Sequence, residues 1–123
     1  MTLDNPGVAD HIFLCDVEVW AGTSPNPSVW TDLDLSAVVG SNPALCVMRW
    51  KNANGFAAST IAFRPKGETE YVDDTLVSPF VCGAPTDGWG IVLALTDSAG
   101  ICQYKIKDMD KAAQTIDIIG YVK

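Results

Sequence analysis

The sequence predicts an all-β fold: an antiparallel β-sandwich, jelly-roll-like, of seven to eight short strands, with a barrel as the second choice. Three observations predict it. Apolar and polar residues alternate in runs of 6 to 10 residues, the period of a half-buried strand. Clusters of Gly, Pro, Asn, Asp and Ser separate those runs. No long stretch has the 3.6-residue period of an amphipathic helix. At 123 residues there is room for one domain, whose core buries roughly two-thirds of the unfolded chain's surface. We assign residues 1–10 to a flexible N-terminal arm and 11–123 to the sandwich.

The elements follow in order. HIFLCDVEVW (11–20) contains alternation, with Cys15, Val17 and Val19 on one face and Asp16, Glu18 and Trp20 on the other. TSPNPS (23–28) is a two-proline loop. In WTDLDLSAVVG (30–40), Leu33 and Leu35 point inward while Asp32 and Asp34 point out. That is the pattern of a half-buried edge strand leaving the sheet at Ser36 and Gly40. ALCVMRW (44–50) is apolar on both faces at first, as a central strand is. After the turns GSNP and NANG comes STIAFR (59–64), ended by the RPKGE turn. TLVSPFVC (75–82) contains Pro79 and reads as an edge or bulged strand. WGIVLALTD (89–97) is the strongest strand, and DSAG (97–100) reads as a tight hairpin turn into GICQYKI (100–106). KDMDKAAQ (107–114) is the one place for a helical turn, and TIDIIGYVK (115–123) closes the chain.

Composition narrows the function classes. A net charge of −7 repels phosphate backbones, which excludes nucleic acid as the main partner. The charge is uneven: Asp4, Asp10, Asp16, Glu18, Asp32 and Asp34 all precede Arg49, the first basic residue. That acidic third reads first as a solvated face and second as a docking surface for a basic partner. No apolar run spans a membrane and no secretion signal is legible, so synthesis in the cytosol is expected. Cys15, Cys46, Cys82 and Cys102 sit in apolar runs without any C-x-x-C spacing. They read as buried thiols, with one or two disulfides open on exposure to air.

Little in the chain points to catalysis, and none is expected; no cofactor or metal is called for. His11 is the single histidine and opens a strand, so a Cys–His or Ser–His pair has one weak candidate. No G-x-S-x-G, P-loop or G-x-G-x-x-G occurs. The carboxylate pairs Asp73–Asp74, Asp108–Asp110 and Asp32–Asp34 meet the spacing of a glycosidase too easily by chance, and DMD lacks the rest of a calcium loop. Of the four tryptophans, Trp50 and Trp89 are assigned to the core. Trp20 and Trp30 flank the proline loop. With Asp32 and Asp34 they form the candidate ligand surface, where ring faces stack on a sugar. Trp30 has a structural alternative, as the anchor of that loop.

The segments WTDLDLSAVVGSNPALCVMRWKN, IAFRPKGE and IDIIGYVK resemble small β-sandwich virion proteins and fibre-tip modules of tailed bacteriophages and prophages. The shared pattern is a W-x-D-L-D-L-S opening, an A-L-x-x-x-R strand, an F-R-P-x-G turn and a closing L-x-G-Y-V/K strand. It spans Trp30 to Lys123, with Ile119 where leucine is common, and residues 11–20 have no counterpart in it. The resemblance implies a non-enzymatic structural protein, made in the host cytoplasm and carried on the virion. The first expectation is a capsid decoration (cement) protein that coats or stabilises a phage head. The alternative is a tail-fibre or receptor-binding tip that holds surface carbohydrate. Both imply a homo-oligomer, trimer or dimer, against a capsid or tail protein. The arm residues Leu3, Asp4, Asn5, Pro6 and Val8 are the candidate partner contacts, ordering by strand addition.

Overall fold

The computed structural model describes residues 12–22, 29–53, 58–68, 80–107 and 114–123. Arm residues Leu3, Asp4, Asn5, Pro6 and Val8, His11, the loop 23–28, and the pairs Asp73–Asp74 and Asp108–Asp110 lie outside them, as does the candidate helical turn. The described chain is an all-β sandwich. Its strands are β1 (Ile12–Gly22), β2 (Thr31–Asp34), β3 (Leu45–Asn52), β4 (Ser59–Pro65), β5 (Val81–Ala84), β6 (Gly88–Leu95), β7 (Ile101–Lys107) and β8 (Gln114–Val122). One four-residue helix, α1 (Ser36–Val39), follows β2. No described helix is long and apolar enough to cross a membrane.

Two four-stranded antiparallel sheets face each other, one ordered β1-β8-β3-β6 (sheet A), the other β2-β7-β4-β5 (sheet B). The pairing is nested: β1 with β8, β2 with β7, β3 with β6, β4 with β5. The first half of the chain therefore pairs with the second half in reverse order.

Alternation decides which residues fill the space between the sheets. Cys46, Met48, Trp50 and Asn52 of β3 point in, and Leu45, Val47, Arg49 and Lys51 point out. From sheet B come Leu33, Ile61, Phe63, Cys102, Tyr104 and Ile106, and from β8 Ile116 and Ile118. Trp50 is fully buried and donates from Nε1 to Gln114 Oε1 at 2.8 Å, so the ring's polar edge is satisfied inside the core. Thr96, also buried, ties the 40–44 turn to the end of β6: its hydroxyl donates to Asn42 O (2.9 Å) and accepts from Ala44 N (2.8 Å).

Four expectations need correction. β1 does not alternate strictly: its register on β8 shifts between Leu14 and Val17 and again between Glu18 and Trp20. The second shift turns Trp20 inward beside Val19, both packed against the core. Trp89 is not core: it takes an outward position of β6 and is 53% exposed. The DSAG turn exists, with Gly100 N donating to Asp97 O, but β6 and β7 lie in different sheets, so it crosses the sandwich and is no hairpin. Finally, WTDLDLSAVVG holds a helical turn. β2 is an edge strand with Leu33 buried and Asp32 and Asp34 exposed, as its pattern predicts. Asp34 Oδ1 then accepts from Ser36 N (2.9 Å), and the chain coils so that Val39 is buried.

That turn fits only because position 100 is glycine. Gly100 has φ +79°, and a Cβ there would be driven into the Gly40 carbonyl and meet Ser36 Cα at 3.1 Å. Gly67 has a similar φ, +78°, with nothing within 4 Å of its Cβ position. Left-handed strain costs a non-glycine residue about 1–3 kcal/mol, so Gly67→Ala loses about that much. Gly100→Ala loses the same plus the overlap of two backbones. Urea titration of both variants checks this, and equal losses would refute the packing of α1 on the 97–100 turn.

Candidate functional site

The outer faces of the two sheets differ in chemistry. On sheet B a polar chain runs across three strands. Lys66 Nζ meets Asp32 Oδ2 at 2.7 Å, Gln103 Nε2 donates to Asp32 Oδ1 at 2.8 Å, and Arg64 Nε donates to Gln103 Oε1 at 2.7 Å. The Arg64 guanidinium lies 4.4 Å from the centroid of the Trp30 ring, and Lys105 Nζ lies 5.7 Å from it. The stacked cation covers a ring face that a sugar would need. The indole N–H of Trp30 is buried without a hydrogen-bond partner. Trp30 thus sits as a lid over the sheet's cations.

The four ligand-surface candidates therefore divide. Asp32 and Trp30 share the outer face of sheet B through Gln103 and Arg64. Asp34 is spent on the α1 turn. Trp20 is on the other side of the sheet altogether, its ring 5.4 Å from that of Tyr104 between the sheets. Trp20 and Trp30 do not form one aromatic platform.

The outer face of sheet A is built differently. Ile12 and Leu14 of β1, Leu45 of β3, and Trp89, Ile91 and Leu93 of β6 are all exposed there. The register aligns them: Leu14 opposite Gly120, Val47 opposite both Gly120 and Leu93, Leu45 opposite Leu95 and Val122. Arg49 crosses the middle of this apolar field. Its Nε and Nη2 donate to Asp117 Oδ2 at 3.0 and 2.7 Å, and Nη2 reaches Asp16 Oδ1 at 2.8 Å. The hydrogen bond with Asp117 is the chief reason the guanidinium is held even more firmly charged than usual. Arg49 and Lys51 also lie 5.3 and 5.0 Å from the Trp89 ring centroid. Trp89 and Arg49 are of the residue types enriched at protein interfaces.

The sequence carried a signal for this face that simple alternation hides. In GWGIVLAL both sets of positions are apolar, but the set Gly90, Val92, Ala94 is small and the set Trp89, Ile91, Leu93 is large. The small set faces the core because there is no room: a Cβ on Gly90 would come within 2.9 Å of Cys82 Sγ.

All four cysteines are free thiols. Burial pushes Cys46 up to about 12 and Cys82 up to about 11, and raises Cys102 and Cys15 as well. Among the described residues no three His, Cys, Asp or Glu side chains converge as a metal site requires. No protein-family model matches the chain, and no curated protein matches its sequence.

Two outcomes follow. Alkylation at neutral pH, read by mass spectrometry, labels Cys15 before Cys46 and Cys102, which react only on unfolding because a buried thiol stays protonated and covered; labelling of Cys102 as fast as Cys15 would contradict the packing. The hydrogen bond from Lys66, then that from Gln103, holds the Asp32 carboxyl below its ordinary value, and bonds from Ser36 do the same for Asp34. A depressed carboxylate contributes stability above its unfolded pKa of about 3.9. That contribution is lost as pH falls through the lower folded value, in a window from about pH 5 downward. The melting temperature of Asp32→Asn therefore falls less steeply with acid than that of the parent chain, and parallel curves would remove Asp32 from the acid response.

Proposed function

We propose that this chain is a non-enzymatic structural subunit of a bacteriophage virion, a decoration (cement) protein that coats a head. The observation that carries the reading is the outer face of sheet A, where exposed Ile12, Leu14, Leu45, Ile91 and Leu93 lie beside a held arginine. Soluble single domains rarely leave contiguous apolar surface of this kind uncovered, and such patches mark interaction sites. The proposal includes the jelly-roll form. The nested pairing of β1 with β8 through β4 with β5 is what a long antiparallel hairpin gives when it is rolled into two sheets. Jelly rolls recur in viral capsid and lectin domains, which supports the assignment by analogy of fold alone. Four free thiols suit a protein made and assembled in a reducing host cytoplasm. The subunit acts as a homo-oligomer, dimer or trimer, bound to a capsid protein.

The tail-fibre alternative, with surface carbohydrate as ligand, draws less from the geometry, since Arg64 covers Trp30 and Trp20 is internal. The two separate in one experiment. Particles from the strain that carries this gene are purified on a density gradient and probed with an antibody to the chain. The expected result is many copies per particle, with gold label over the head. Label confined to fibre tips would transfer the assignment to the receptor-binding module, and absence from the particle fraction would overturn both.

A further inference from the structure

The four edges of the two sheets are protected unequally. The β1 edge carries Asp16 and Glu18 and is broken by two register shifts. The β2 edge is four residues long and carries Asp32 and Asp34. The β5 edge is also four residues long. Charge, bulges and shortness are the ordinary means by which a sheet prevents its open backbone from pairing with another chain. The β6 edge has none of them. It is eight residues, GWGIVLAL, without a charge or a proline, and it pairs with β3 in unbroken register from Leu45–Leu95 to Asn52–Gly88. Among the described residues β3 is its one hydrogen-bonded neighbour.

We propose that β6 pairs antiparallel with β6 of a second copy of this chain, about a two-fold axis at Ile91. The inference rests on the oligomeric part of the reading above, and not on a viral shell. Sequence selects this occupant. Opposed residues of an antiparallel pair lie on the same face of a sheet. A two-fold at Ile91 sets Trp89 of one copy against Leu93 of the other, Gly90 against Val92, and Ile91 against itself. Large outward residues meet large ones, and small inward residues meet small ones. The exposed trio Trp89, Ile91 and Leu93 is thereby matched with itself, as an isologous interface requires.

Charge selects the same edge. Two copies with a net charge of −7 each repel wherever carboxylates would meet. Along β6 none do. The nearest charges on the outer face belong to β3, Arg49 and Lys51, and both are cations. The Asp87 carboxylate before β6 is paired with Lys51 at 3.2 Å. Asp16 sits on β1, three strands away across the sheet, about 14 Å at the usual strand spacing. The pairing joins two four-stranded sheets into one of eight. On its outer face the row Leu14, Gly120, Val47 and Leu93 of one copy then runs on into Trp89 and Lys51 of the other.

Sedimentation of the full chain tests this, with the expected mass at twice 13.2 kDa. Ile91 is 55% exposed, so Ile91→Lys leaves the fold intact by circular dichroism while placing two ammonium groups against each other on the axis. It weakens the dimer at least about tenfold. Ile91→Cys supplies a second readout: opposed strand positions lie within disulfide reach, so the introduced thiols cross-link under mild oxidant. Leu45→Cys, on the same face one strand in, does not. A monomer at every soluble concentration overturns the proposal. So does a trimer, a dimer untouched by Ile91→Lys, or cross-linking at position 45 as fast as at 91. Binding of the Ile91→Lys variant to purified particles is scored separately, so loss of the dimer and loss of the virion role are told apart.

Discussion

The fold depends on the pairing of the first strand with the last. β8 lies between β1 and β3, so the last strand supplies the ladder on which both first-half strands of sheet A are hung. Asp117 reaches Arg49 because β8 is beside β3, and Asp16 reaches it from β8's other side. Cys15 donates weakly to the Ile118 carbonyl across the same join, 103 residues away in sequence. Closing so long a loop costs entropy that grows only logarithmically with length, so the cost is tolerable, but it must be met before the contacts form. The nested order eases that: once β4 pairs with β5, each outer pair closes a loop already shortened by the inner one. Non-local pairing of this kind folds slowly, and it leaves sheet edges uncovered in the meantime.

Much of the architecture was legible because strand formation is local. Alternation located all eight strands to within a few residues wherever the chain is described, and it put Leu33 and Leu35 inside and Asp32 and Asp34 outside. What it could not see is set by partners. The DSAG turn has the same side-chain chemistry whether it joins neighbours in one sheet or crosses between two: Asp97 Oδ1 accepts from Ala99 N and Ile101 N at 2.9 Å in either case. Strict phase failed in β1 because a bulge inserts a residue without any mark in the alternation, which moved Trp20 from the surface to the core. α1 was missed because four residues of ordinary helix propensity coil only when Asp34 and Gly100 fix their ends.

The candidate site was the least legible part, for a related reason. Hydrophobicity marks a residue as wanting cover and says nothing of who supplies it. Trp89, Ile91 and Leu93 carry the same apolar signal as Trp50 and Met48, yet among the described residues only the latter are buried. Size was the more informative variable. Gly90 and Ala94 are small because the second sheet presses on them, and their large neighbours are consequently turned away from it. Trp30, by contrast, looked like a surface ring and lies on the surface, but its face is occupied by Arg64.

Distribution of charge connects the edges to the outer faces. Among the described residues, Asp16 and Glu18 fall on β1 and Asp32 and Asp34 on β2, which are edge strands of the two sheets. Carboxylates there cost little, since both strands are half-exposed, and they keep those edges from pairing. The same acids give Arg49 a second carboxylate partner and give Lys66 its ion pair with Asp32. The opposite edge of sheet A is left uncharged over all of β6. A chain that guards one edge with charge and leaves the other edge long, regular and apolar has an orientation built into it. Charge and register shifts guard the β1 edge against strand pairing, and neither guards β6, while Arg49 on the strand beside β6 is held in place by Asp117 and Asp16.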